Sequence, residues 1–226
     1  MNENITNTIY LAGVFLVLFA SAEILYHKFN VKAEITRKIV HVSTGLLTML
    51  FPPLIENHWL VLLLCSSFFI ILMLSIALKL LPSINAVDRK TRGSILYPVI
   101  VYGCFLLYGH YGQLMIYYIP ILILAISDPI AALVGKNWPK WKYKTFGQTK
   151  TLSGSAGFLI SSLIICLSLF MGLESIPFNK AIAISFGVAI VTTIAEAVSH
   201  RGYDNLTIPV GALCVLIFFN YYYNLV

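Results

Sequence analysis

The segment 196–209, EAVSHRGYDNLTIP, places two carboxylates, a histidine, an arginine and an asparagine between two long apolar stretches. Left unpaired in hydrocarbon, such groups cost on the order of several kcal/mol each, so a chain that keeps them uses them. Other polar groups gather in the same way. Asp128 opens SDPIAALVGK, and Lys150 and Thr151 lead into a small-residue run, KTLSGS, that ends in Gly154 and Ser155. Carboxylates beside lysines and arginines, with no hydride or haem motif in the chain, are the parts that handle metal-bound phosphates. The lysines beside a small-residue helix start would make an anion site, although the loop lacks GxxxxGK[ST] and is not a P-loop.

The elements that must carry these groups are membrane helices. Of 226 residues, 59% are hydrophobic and 11% charged, against about 45–50% and about 25% in soluble domains. A spanning helix needs roughly 20 mostly apolar residues. Candidates lie near 8–27, 37–55, 58–78, 94–109, 113–134, 152–173, 179–198 and 206–225. The expected fold is therefore an all-α, polytopic helical bundle, one transmembrane domain over 1–226, with about eight spans. A count of seven stays open, because 94–109 is short and 37–55 carries Arg37, Lys38 and His41. The first apolar run is long enough to span, so no cleaved signal peptide is expected.

Charge placement favours eight. Cytoplasmic loops collect Lys and Arg, and with eight spans 14 of the 15 basic residues fall in alternate loops, leaving Lys180 on the other side. Both termini are then expected away from the cytoplasm and the loop 136–151 within it. The net charge of +6 describes one membrane face, facing lipid headgroups or a phosphorylated soluble substrate, and no nucleic-acid partner is expected. The four cysteines fall one each in four separate spans and read as small buried hydrophobes.

Within the spans the polar residues form stripes. Arg37, His41, Thr44, Gly45 and Thr48 recur at three- and four-residue steps, as do Thr192, Thr193, Glu196, Ser199 and His200. On the fifth span Asp128 shares a face with Gly135, next to Lys136. Pro129 has no N–H and leaves the Ala125 carbonyl without its partner, which suits a polar cavity. Plainer readings sit beside these. Asp128 also suits a pair with a basic neighbour, His41 a packing histidine, and Asp204 and Asn205 a helix cap with Pro209 in the first turn. Lys140, Lys142 and Lys144 alternate with Trp138, Trp141 and Tyr143 in the manner of an interfacial anchor.

Five pieces in order, RKIVHVSTG (37–45), RGSILYP (92–98), DPIAALVGK (128–136), KTLSGS (150–155) and SHRGYDNLTIP (199–209), resemble the CTP-dependent lipid-alcohol kinases, the phytol, dolichol and polyprenol kinases. That family is distantly similar to phosphatidate cytidylyltransferases. The resemblance implies a helical membrane enzyme that phosphorylates a membrane-embedded lipid alcohol with CTP, or another nucleoside triphosphate, and Mg²⁺. It implies metal at Asp128 and Asp204, and catalytic roles for these two with Lys150 and Glu196. Nucleotide contacts are implied at Gly135, Lys136, Lys150, Thr151, Gly154, Ser155, Arg201 and Asn205. The polar stripe of Arg37, Lys38 and His41, with Arg92, is expected to face substrate or to pack. Ser153 stands where the family often has glutamate, and KNWPKW lacks a glycine usual beyond Gly135.

Two other functions compete. A phosphatidate cytidylyltransferase would use the same nucleotide and metal but also bind an anionic lipid headgroup, for which this chain offers few basic residues at membrane depth. An ion-coupled transporter would show inverted repeats with matching broken helices, and the sequence shows none.

Overall fold

The computed structural model describes residues 3–86, 93–146, 148–174 and 176–223. Arg92, with Asp88, Arg89 and Lys90 of the same loop, and Gly147 lie outside the described residues. The chain packs as two compact units, 1–106 and 107–226.

The first unit holds α1 (Glu3–His27), α2 (Ala33–Thr48), α3 (Phe51–Leu54), α4 (His58–Ala77), α5 (Pro82–Asn85) and most of α6 (Gly93–Tyr111). Helix α1 buries one narrow stripe, Thr8, Leu11, Phe15, Phe19 and Ala22. Those three- and four-residue steps are the helical repeat. Phe15 meets Phe68 of α4 at 5.0 Å between ring centroids and Phe51 at 6.1 Å. Large apolar side chains on other faces of α1, Ile9, Leu16, Val17 and Ile24 among them, are exposed, as on a lipid-facing helix.

Helices α2 and α3 are two pieces of one right-handed run. Met49 and Leu50, between them, keep right-handed helical backbone angles. The break follows from Pro52 and Pro53, whose missing N–H groups leave the carbonyls of Thr48 and Met49 without α-helical partners. Side chains fix how this run lies against α1. At one end Asn7 Nδ2 donates to Leu54 O at 3.0 Å, and Glu56 N donates to Asn4 Oδ1 at 3.0 Å. At the other end Thr36 Oγ1 donates to Ser83 O, while Ser83 N and Oγ donate to Glu23 Oε1 at 3.2 and 2.5 Å. The run 36–54 thus goes antiparallel along α1 from the level of Glu23 to that of Asn7. That distance is ~24 Å at 1.5 Å per residue.

Among the described residues, seven helices are long and apolar enough to cross a membrane: α1, α4, α6, the continuous stretch Leu114–Asn137, α9, α10 and α11. The polar α2 is not among them at 16 residues, yet with α3 it runs beside α1 between the levels of Glu23 and Asn7. The all-α polytopic bundle expected from the sequence is what the chain forms.

The second unit contains α7 (Leu114–Leu122), a π-helical turn (Ile123–Ser127), α8 (Asp128–Asn137), a hairpin of β1 (Lys142–Thr145) and β2 (Gln148–Thr151), α9 (Leu152–Leu173), α10 (Phe178–Val198) and α11 (Asp204–Tyr223). Its central helix is α7 with the π turn: Tyr117, Ile121, Ile123, Leu124 and Ala125 are fully buried, and α9 and α11 pack on both parts. The hairpin was read from the sequence as loop. Its antiparallel register pairs Tyr143 with Lys150 and Thr145 with Gln148.

Candidate functional site

Gly135, Lys136, Lys150, Thr151, Gly154, Ser155, Glu196, Arg201, Asp204 and Asn205 collect at one end of this unit, where α8 and α10 end and α9 and α11 begin, while Asp128 lies at the start of α8. The π turn lies just before Asp128 and has a local cause. Pro129, at the second position of α8, cannot donate to Ala125 O and would crowd it, and one wider turn accommodates the ring. Ser127 Oγ is fully buried and, like Thr44 Oγ1 and Ser185 Oγ, has no hydrogen-bond partner among the described residues, whereas Ser161 and Thr192 bond back to Gly157 O and Val188 O.

Asp128 is half-buried and opens α8, which runs on for nine residues to Asn137, ~14 Å at the helical rise.

Gly135 and Gly154 mark the crossing of α8 and α9. A Cβ on Gly154 would stand 2.9 Å from Ala131 O and 3.4 Å from Gly135 Cα; one on Gly135 would stand 2.7 Å from Thr151 Oγ1. The small residues are therefore occupied by backbone contact between helices. Thr151 caps α9, its Oγ1 accepting from Gly154 N at 3.1 Å, and Leu152 N donates to Trp141 O. Two of the four leading N–H groups of α9 are thus engaged by the protein itself. Ser155 Oγ bonds Tyr143 OH at 2.6 Å, and Ser153 Oγ donates to Trp138 O.

Lys150 is engaged by a carboxylate 46 residues away. Its Nζ lies 2.6 Å from Glu196 Oε1 and also donates to the Glu196 backbone carbonyl. Side-chain exposures of 16% and 10% make this a buried ion pair. Glu196 Oε2 is buried and receives no hydrogen bond from the described residues. Thr145 Oγ1 donates to Ala197 O at 2.8 Å, and the Phe146 ring stacks on His200, so the hairpin is pinned to the end of α10. Sequence reading missed these ties, because contact between residues about 50 apart leaves no local pattern.

Between α10 and α11, Arg201 (φ 52°) and Gly202 (φ 87°) adopt left-handed backbone angles that make the turn tight. Ser199 and Thr207 hydroxyls bond each other across it. Asp204 begins α11, with Oδ1 accepting from Asn205 N at 3.0 Å, and Asn205 is buried. Lys136 and Arg201 are exposed at this end. Arg37, Lys38 and His41 belong to the first unit, where the His41 ring packs edge-on against Tyr97 at 5.0 Å. That contact is the packing alternative for His41.

Among the described residues no group of three or more His, Cys, Asp or Glu side chains is placed to hold a metal ion. A Mg²⁺ ion does not need one: it takes one or two carboxylates and fills its octahedron with phosphate oxygens and water. Asp128, beside the unpartnered Ser127 hydroxyl, offers the hard oxygen donors such an ion accepts.

At the other end of the unit, a cavity of ≈ 30 Å³ lined by Gln113, Glu174 and apolar side chains has room for about one water and for neither a nucleotide nor a lipid.

The chain is 32% identical over 211 residues to a phytol kinase of Synechocystis sp., a match covering 91% of this chain and 86% of that one. It belongs to the lipid-alcohol kinase family. A dolichol kinase of Saccharomyces cerevisiae is 29% identical over 125 residues, 54% of this chain and 23% of the longer yeast protein. No protein-family model and no solved structure matches the chain. Membership gives lipid-alcohol phosphorylation as the general activity.

Proposed function

We propose that the protein transfers the γ-phosphoryl group of CTP to the hydroxyl of a membrane-embedded prenyl-type alcohol, phytol or a polyprenol. The relationship to the phytol kinase over nearly the whole chain is the observation that carries this reading. It is supported by polar side chains gathered at one end of a helical unit, where a soluble nucleotide and a lipid hydroxyl can meet.

In this reading Asp128 and Asp204 hold Mg²⁺, which when bound neutralises triphosphate charge. Lys136 and Arg201, exposed at the same end, supply cations to the phosphates. Asn205 and the start of α9 from Thr151 to Ser155 border the nucleotide, and a carboxylate, Glu196 or Asp204, accepts the hydroxyl proton.

The test supplies purified protein with CTP labelled at the α or the γ phosphorus, together with phytol, longer polyprenols or phosphatidate. Label from the γ position is expected in a prenyl monophosphate. Label from the α position in a CDP-lipid, with pyrophosphate released, would overturn the reading.

A further inference from the structure

We propose that Glu196 is the carboxylate that takes the proton from the lipid hydroxyl, and that Lys150 acts by holding Glu196 and not by binding phosphate. This rests on the kinase reading above and decides between its two candidate bases.

The two carboxylates differ in what they still lack. Asp204 Oδ1 already accepts a hydrogen bond from the first turn of α11. Glu196 has one oxygen on Lys150 at 2.6 Å, while the other is shielded from solvent and receives no donor from the described residues. A buried carboxylate oxygen without a donor is destabilising, and folded proteins rarely keep one without a purpose.

The chemistry of the missing partner follows. An ionised phosphate has only acceptors and would repel the oxygen. An alcohol brings one O–H, which matches one open acceptor. Glu196 lies two residues before the end of α10, at the end of the unit where the hairpin and α11 also start.

Lys150 is spoken for in the same geometry. Its ammonium touches both the carboxylate and the backbone carbonyl of Glu196, which fixes the side chain's direction. In the transfer step the hydroxyl proton moves to Glu196 Oε2 as the alcohol oxygen bonds to the γ-phosphorus. The bond from that phosphorus to its bridging oxygen breaks, and its electron pair leaves with the nucleoside diphosphate. Glu196 then gives the proton to water, and Lys150 keeps its charge throughout.

The experiment uses full-length protein in lipid nanodiscs with γ-labelled CTP and phytol. Glu196→Gln is expected to lower kcat at least about 100-fold, with the KM for CTP and the Mg²⁺ concentration for half-maximal rate unchanged. Lys150→Met should show the same split, and Lys150→Arg should recover most of the rate. Near-normal kcat in Glu196→Gln overturns the assignment, as does a raised Mg²⁺ requirement, which would make Glu196 a metal ligand. A raised KM for CTP with kcat retained in Lys150→Met would put Lys150 on the phosphate and overturn its role.

If the single variants fail to fold, the double variant Lys150→Met/Glu196→Leu replaces the pair with apolar volume. It is expected to be folded and inactive, and an active double variant overturns the proposal. Absence of γ-label transfer by the wild-type protein overturns the kinase reading and this inference together. Transfer by wild type and Glu196→Gln alike overturns only the inference.

Discussion

Asp128 and Gly154 make opposite demands on their surroundings, and substitutions separate them. Asp128→Asn keeps the volume and removes the charge. Turnover at limiting Mg²⁺ is expected to fall at least about 100-fold, with the thermal unfolding midpoint of the detergent-solubilised protein little changed. Near-wild-type turnover would remove Asp128 from the metal. Gly154→Ala should do the reverse, since its methyl would meet backbone at Ala131 O, which cannot rotate away. A loss of about 1–3 kcal/mol is expected. Gly157→Ala meets only the Val134 side chain and should lose less, and Gly103→Ala, with nothing within 4 Å, should lose nothing. A flat response across the three would contradict the close crossing. Asp128, Glu196 and Lys150 stand out by residue type alone, because charges are rare in an apolar chain. Their partners were not legible: no local repeat signals that Lys150 meets a carboxylate 46 residues on, or that Gly135 and Gly154 are used to bring α8 and α9 together.

At the scale of elements, the long helices were readable because about 20 apolar residues admit few other structures. The 142–151 hairpin was not. Its strands have four residues each, and the alternation of lysine with Tyr143 and Thr145 resembles a row of interfacial anchors. In the structure Lys142 and Lys144 face out while Tyr143 and Thr145 bond inward to Ser155 and Ala197. Pro129 was legible in part: the freed Ala125 carbonyl was foreseen, the π turn that answers it was not. Pro129→Ala gives that carbonyl a donor and removes the crowding. The variant is expected to gain roughly 1 kcal/mol, about one net hydrogen bond, in thermal stability while losing activity, because the geometry around Ser127 and Asp128 changes. Equal gains in stability and turnover would show that the π turn is only a packing accommodation.

For the molecule as a whole, the number of crossings decides on which side the chain begins and ends. Length and composition count seven helices among the described residues, and seven crossings would put the termini on opposite sides. The alternation of basic residues needs eight. The hydrogen bonds of the first unit favour eight: α1 is tied near its start to residues 54 and 56 and near its end to Ser83, which is tied in turn to Thr36. The chain from Thr36 to Leu54 runs beside α1 from the level of Glu23 to that of Asn7, which is the arrangement a crossing hairpin of the two would have. Two engineered cysteines distinguish the counts. In a background lacking Cys65, Cys104, Cys166 and Cys214, Lys28→Cys and Glu56→Cys lie just before and just after the disputed segment. Eight crossings require an impermeant maleimide to reach them from opposite sides, with position 28 and a Lys144→Cys probe in the hairpin on the cytoplasmic side. Labelling of positions 28 and 56 from the same side would leave α2 as a polar helix lying against the bundle without crossing, and the charge alternation as coincidence.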